Sequence, residues 1–249
     1  MRIAAIADMH SNYAALEAVL ADISAQGVDR IVCLGDMASG PLDARRTLDM
    51  LMALDADVVR GNHDRYLFDR PRDQMGAWDK IAFDQLSTPH LDWLRSLPAT
   101  RVLNDDVFLC HATPGDDETY WLETVNPDGA IRMSELAAIE AHAEGLTQSL
   151  ILCAHTHIPR AVRLSDGRLI VNPGSAGCPG YRDRTPYPHR MQTGTPDASY
   201  AIIDRAHGTW QVAFRLTPYD HQAMAALARQ NGMAAYADTL ATGWVTPAA

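Results

Sequence analysis

Hydrophobic positions along this chain follow two periods. Runs at 2–7, 30–34, 57–60, 107–110 and 150–153 are short and apolar without alternation, the mark of strands buried on both faces. After the first run the period turns helical, with Leu16, Val19, Leu20 and Ile23 spaced for one helix face and Ser11 or Asn12 as its N-cap. The order up to residue 64 is therefore strand, helix, strand, helix, strand: a βαβαβ start with parallel strands. Residues 65–98 read as helical, anchored by Trp78, Phe83, Leu86, Leu91, Trp93 and Leu94. Strands are expected again at about 101–103, 107–110, 150–153, 161–164, 168–172, 199–204 and 210–215, with Asp166-Gly167 as a hairpin turn and another turn at 204–208. Ser134 to Glu144 reads as a helix with Leu136 and Ile139 inward. From Tyr219 the chain is alanine-rich and helical, and Met224, Leu227, Met233, Tyr236 and Leu240 suit packing on the body or, as the alternative, a subunit contact. Between these lies 176–198, where Gly177, Pro179, Gly180, Pro186, Pro188, Gly194 and Pro196 forbid regular structure. No repeat, low-complexity segment or linker interrupts 1–249, which reads as one domain.

Each of the five apolar runs ends in side chains able to hold metal or phosphate. They are Asp8 and His10; Asp36; Asn62, His63 and Asp64; His111; and His155 and His157. Strand ends are where layered α/β proteins carry their sites. If residues 8–10 are extended, Asp8 and His10 point the same way, because side chains alternate. A lone histidine is more often a packed or surface residue than a ligand, and His90, His142, His207 and His221 are read that way. Mixed nitrogen and oxygen donors suit Mn²⁺, Fe²⁺, Zn²⁺, Ni²⁺ or Co²⁺ better than Ca²⁺.

Together, Asp8-Met9-His10, Gly35-Asp36, Gly61-Asn62-His63-Asp64, His111 and His155-Thr156-His157, followed by Asn172-Pro173-Gly174-Ser175, resemble the calcineurin-like metallophosphoesterases, in particular their small bacterial and archaeal phosphodiesterase branch. The resemblance implies an α/β fold, a four-layer αββα sandwich of two mixed β-sheets flanked by helices. It implies two divalent metal ions, one held by Asp8, His10, Asp36 and His157 and the other by Asp36, Asn62, His111 and His155, with Asp36 bridging. His63 would face the leaving group without binding metal, and Asp64 would stand behind the ligands as a supporting partner, completing the catalytic set. The implied reaction is hydrolysis of a phosphodiester or small phosphomonoester by a hydroxide shared between the metals, with His63 assisting the leaving group.

Ala154 stands where the superfamily commonly has Gly. Ser39-Gly40 stands where the protein-phosphatase and diadenosine tetraphosphatase branches carry an Asp-Arg pair whose Asp orients the catalytic histidine. This argues against both branches and leaves the orienting partner of His63 open. The alternative is a catalytically silent metal-binding scaffold of the same fold, as in the retromer subunit that has lost the catalytic histidine; here His63 is present.

Bulk properties narrow the substrate. A net charge of −10 opposes a long nucleic acid as partner, since phosphate contacts need clustered Lys and Arg. It admits a small phosphate ester, nucleotides included. Arg182, Arg184, His189 and Arg190 in the 176–198 loop are the candidate substrate-binding groups, and Tyr120 and Trp121 follow His111 closely enough to pass near the site. No run approaches the roughly 20 apolar residues of a membrane span, and the start shows no signal-peptide layout, so a cytoplasmic protein is expected. Cys33, Cys110 and Cys153 lie inside apolar runs and, with Cys178, read as buried structural residues rather than a disulfide or zinc framework.

Overall fold

The computed structural model describes residues 1–206 and 208–246; His207 and the last three residues of the C-terminal stretch lie outside the described residues. The first half of the chain comprises β1 (Arg2–Ile6), α1 (Tyr13–Ser24), β2 (Arg30–Cys33), α2 (Ala44–Met52), β3 (Asp57–Val58), α3 (Asn62–Asp69), α4 (Ala77–Phe83), α5 (Thr88–Ser96), β4 (Thr100–Leu103) and β5 (Val107–Cys110). There follow β6 (Glu123–Val125), β7 (Ile131–Met133), α6 (Leu136–His142), β8 (Leu150–Leu152), β9 (Arg160–Arg163), β10 (Leu169–Asn172), β11 (Gly180–Asp183), β12 (His189–Gln192), β13 (Ala198–Ala206), β14 (Thr209–Thr217), α7 (His221–Gln230) and α8 (Ala234–Thr242).

Two five-stranded mixed sheets form the centre, ordered β14-β13-β1-β2-β3 and β4-β5-β8-β10-β9. β1, β2 and β3 are parallel, as the opening pattern predicts. Alternation along β1 shows how the layers form. Ile3 and Ala5 face the second sheet and meet Val107, Leu109, Leu150, Leu152 and Val171. Ala4 and Ile6 face the other way, onto Leu16, Val19, Leu48 and Leu94 of the helical layer. The outer face of the second sheet, Phe108, Ile151 and Ile170, is covered by Trp121 and Ile139. The result is the four-layer αββα sandwich. α7 and α8 pack through Met224, Ala228, Tyr236 and Leu240 against Leu42 and Cys178. Among the described residues no helix is long and apolar enough to cross a membrane.

Residues 65–98 are helical as expected, divided among the rest of α3, α4 and α5. Three local features differ from expectation. Residues 176–198 are not irregular: β11 and β12 form an antiparallel hairpin within them. The strands β6 and β7, a short antiparallel pair, lie in a stretch that carries no strand pattern. On α6, Ile139 is buried but Leu136 is 43% exposed, because the helix presents only one narrow face to the sheet.

Candidate metal and catalytic site

The five blocks converge at the ends of β1, β2, β5 and β8 and the start of α3. Asp8, His10, Asp36, His155 and His157 all have φ between 45° and 71°. Such left-handed backbone is uncommon outside Gly and clusters at functional sites, where the surrounding fold must hold it. Asp8 and His10 are therefore not on an extended segment. They converge because the chain turns sharply twice, and hydrogen bonds fix those turns: Asp8 N–H donates to Gly35 O (3.0 Å) and His10 N–H to Asp36 O (3.1 Å). The Asn172–Ser175 loop stitches the first and fifth blocks together. The Ser175 hydroxyl donates to Asp8 O (2.7 Å), and the Asn172 amide donates to Ala154 O (2.8 Å) and Thr156 Oγ1 (3.0 Å).

The imidazoles are preset as ligands. The Nδ1–H groups of His10, His111 and His157 donate to the carbonyls of Ser39 (2.6 Å), Leu34 (2.7 Å) and Cys178 (2.9 Å). Each therefore turns Nε2 inward, whereas His155 donates Nε2–H to Glu118 O (2.8 Å) and keeps Nδ1 free. Burial lowers His10 and His155 to about 4 and His157 well below its ordinary value, so all three are neutral near pH 7. His10 Nε2 and His157 Nε2 then face each other at 3.2 Å with no proton to share. Both Asp8 carboxylate oxygens are buried without a hydrogen-bond partner. Two lone pairs aimed at one another beside an orphaned carboxylate fit a cation and little else. On the other side of Asp36, His111 Nε2 lies 3.3 Å from Asp36 Oδ2 and 3.1 Å from Asn62 Oδ1. Burial opposes protonation there, but Asp36 reverses it and raises His111 to about 10. Asp36, His111 and His155 form one group able to hold a metal ion, and Asp8, His10 and Asp36 another.

His63 stands beside this set without joining it. Its ring centroid is 5.5 Å from that of His10, and its backbone N–H donates to Asp36 Oδ1 (2.9 Å). A sequence profile of the calcineurin-like phosphoesterase superfamily domain matches residues 1–198. The chain belongs to that superfamily. An uncharacterized protein of Methanocaldococcus jannaschii is 28% identical over 224 residues, covering 81% of this chain and 82% of its own. A metallophosphoesterase from Sphaerobacter thermophilus is 26% identical, with a TM-score of 0.74 over 98% of this chain and 99% of that one.

The sequence left the orienting partner of His63 open. Among the described residues Asp64 makes no hydrogen bond to the His63 ring. Its carboxylate accepts the backbone N–H groups of Asp36 (2.8 Å), Met37 (2.9 Å) and Gly61 (2.9 Å), locking the second and third blocks together. The partner of His63 is Asp79 on α4, whose Oδ1 accepts Nδ1–H at 2.8 Å and also accepts the Ser39 hydroxyl. Burial works against the His63 cation, but this bond and Asp36 raise its pKa above the ordinary histidine value. Asp79 carried no signal in the sequence, lying on a short helix outside every block.

Beside the metal candidates and His63 opens a cavity of about 610 Å³. One wall is apolar: Trp78, Met233, Tyr236 and Val245. Trp78 packs on Tyr236 with ring centroids 4.4 Å apart, so the C-terminal helices enclose the site rather than merely pack on the body. Tyr120 and Tyr181 also line the cavity. The Tyr181 ring lies 4.7 Å from that of His157, and its hydroxyl donates to Tyr120 Oη (3.0 Å). Trp121 is buried, its indole N–H on Ile139 O (2.9 Å). Of the four expected substrate-binding groups, Arg182 alone lines this cavity. Arg184, His189 and Arg190 line a neighbouring one of about 690 Å³ that also includes Arg182. His189 is buried with both ring nitrogens engaged, by Tyr187 O (2.7 Å) and Tyr120 Oη (3.0 Å).

Proposed function

We propose that the protein is a metal-dependent hydrolase of small phosphate esters, and of phosphodiesters in preference to monoesters. The observation that carries this reading is the position of His63: held by Asp79 through Nδ1, it leaves Nε2 for the cavity beside seven converging metal donors. Asp8, His10, Asp36 and His157 would hold one divalent cation; Asp36, Asn62, His111 and His155 would hold a second. When bound, such a pair supplies activated water and offsets the negative charge of the phosphoryl group. Mn²⁺, Fe²⁺, Zn²⁺, Ni²⁺ and Co²⁺ all suit this donor set.

The chain's own groups do the rest. His63, kept protonated by Asp79, hydrogen-bonds the leaving oxygen and gives it a proton as the ester bond breaks. The apolar wall of Trp78, Met233 and Tyr236 shields that oxygen from bulk water and seats an organic group. A cavity of about 610 Å³ beside the metal donors supports a diester, whose second organic group must also fit. Four free buried cysteines suit a reducing, cytoplasmic setting.

The test is turnover of bis-p-nitrophenyl phosphate against p-nitrophenyl phosphate by metal-stripped protein refilled with Mn²⁺. Faster diester turnover supports the reading, and a monoester preference makes the protein a small-molecule phosphatase. Bound metal without turnover of either returns it to the scaffold alternative.

A further inference from the structure

Residues of the β11–β12 hairpin line both cavities, and its charges are unusual for this chain. Arg182 pairs with Arg190 in the antiparallel register, so both side chains leave one face of the hairpin. Like charges directly opposite one another across a ladder destabilise it unless something lies between them. Most arginines here reach a carboxylate: Arg65 has Asp117 and Glu118, Arg160 has Glu123, Arg215 has Asp22. Among the described residues Arg182, Arg184 and Arg190 form no ion pair. The nearest acid in sequence, Asp183, is already committed: it accepts the backbone N–H groups of Arg184 (2.5 Å) and Thr185 (3.1 Å) and the Tyr120 hydroxyl (3.4 Å). Three guanidinium groups without an ion pair thus sit on one hairpin of a protein of net charge −10: all three line the neighbouring cavity, with Asp128 and Asp183, and Arg182 also lines the cavity that holds His63.

The hairpin is also tied to the site. Tyr181, next to Arg182, packs on His157, and its hydroxyl oxygen lies 3.3 Å from His155 O. Arg190 donates to Val245 O (3.4 Å), and the Val245 side chain lines the His63 cavity. Arg182 on β11 and Arg190 on β12 are therefore borne on a hairpin tied to the metal donors rather than on a free loop. A guanidinium pair in this setting matches the oxygens of a phosphate group.

We propose that Arg182 and Arg190 form a second anion subsite, so that the preferred substrate is a phosphate ester carrying a further phosphoryl group. This rests on the phosphoesterase reading and adds to it. The ester to be cleaved lies at the metal donors; the remote phosphate lies between the arginines and stays intact. Arg184, on the same hairpin, contributes long-range attraction.

Two substrates that share the reacting diester and leaving group isolate the subsite: thymidine 5′-(p-nitrophenyl phosphate) and its 3′-phosphorylated counterpart. The wild-type protein is expected to favour the 3′-phosphorylated ester by about tenfold or more in kcat/KM, since charge-assisted bonds to a phosphate are worth at least that factor. The ratio falls toward one in R182Q/R190Q and is partly kept in R182K/R190K, which retains both charges; melting curves of the two variants check that the hairpin is intact. A ratio near one in the wild type, or one unchanged by R182Q/R190Q, overturns the proposal. Calorimetry with thymidine 3′,5′-bisphosphate and thymidine 5′-phosphate separates the subsite from the catalytic reading. Arginine-dependent preference for the bisphosphate without turnover of any ester keeps the subsite and removes the phosphoesterase. Equal binding of the two removes the subsite even in an active enzyme.

Discussion

Asp79 Oδ1 lies 2.8 Å from His63 Nδ1, and the same oxygen accepts the Ser39 hydroxyl. A serine and a helix-borne carboxylate thus orient the histidine that other branches of the superfamily orient with an Asp-Arg pair. The carboxylate fixes the imidazole tautomer and directs Nε2 at the cavity.

His63→Ala is expected to leave bound metal unchanged and to lower turnover by about 10²–10⁴-fold. Asp79→Asn should lower kcat by on the order of tenfold or more, again with full metal content, because the ring loses its orienting charge but not its place. Metal analysis beside steady-state kinetics checks both. Undiminished turnover in either variant would remove that residue from the chemistry.

Asp8 gives a test in which stability and metal binding move in opposite directions. Its carboxylate is fully buried, and burial raises its pKa well above the ordinary value. Without a cation it is an uncompensated polar group, which costs stability. Asp8→Asn should therefore raise the melting temperature of metal-stripped protein while losing most of the stabilisation that added Mn²⁺ gives the wild type. A variant that melts lower when metal-free, or gains as much from Mn²⁺, would contradict the assignment.

Gly61 is needed for close approach. A Cβ there would collide with Asp36 Oδ1 and crowd the Asp36 backbone nitrogen. Gly61→Ala is expected to cost about 1–3 kcal/mol and to weaken metal binding, because the clash falls on the proposed bridging carboxylate. Denaturant unfolding and metal titration measure the two effects; wild-type values in both would show that the loop can yield.

A pH effect is expected far from the site. Hydrogen bonds from Arg215 (2.7 and 3.0 Å) and from Tyr200 (2.7 Å) hold the Asp22 carboxyl below its usual pKa. A depressed carboxylate contributes stability that is present above its unfolded pKa of about 3.9 and lost as pH falls through the folded one. The difference in melting temperature between wild type and Asp22→Asn should be constant near pH 6 and shrink below about pH 4. A difference unchanged down to pH 3 would show that Asp22 acts through packing alone.

The residues that can be read from sequence are those whose chemistry and position coincide. Asp8, Asp36, His111 and His155 each end an unbroken apolar run, so strand and ligand announce one another. Their backbone does not: left-handed φ at Asp8 is held by hydrogen bonds to Gly35 and Ser175, made only when distant segments meet. Asp79 and Tyr236 were hidden for the same reason, each reaching the site from a helix that looks like ordinary packing. The β11–β12 hairpin was masked by prolines at its ends, which break local propensity without preventing a short ladder. Leu136 misled because α6, with only Leu136–His142, buries a single row of side chains.

The most direct test of the account is turnover of bis-p-nitrophenyl phosphate measured while Mn²⁺ is titrated into metal-stripped protein, with bound metal counted at each step. Activity should be absent at the start, rise with loading and level off near two metal ions per chain. Turnover by metal-free protein, or a fully loaded protein that hydrolyses nothing, would contradict it.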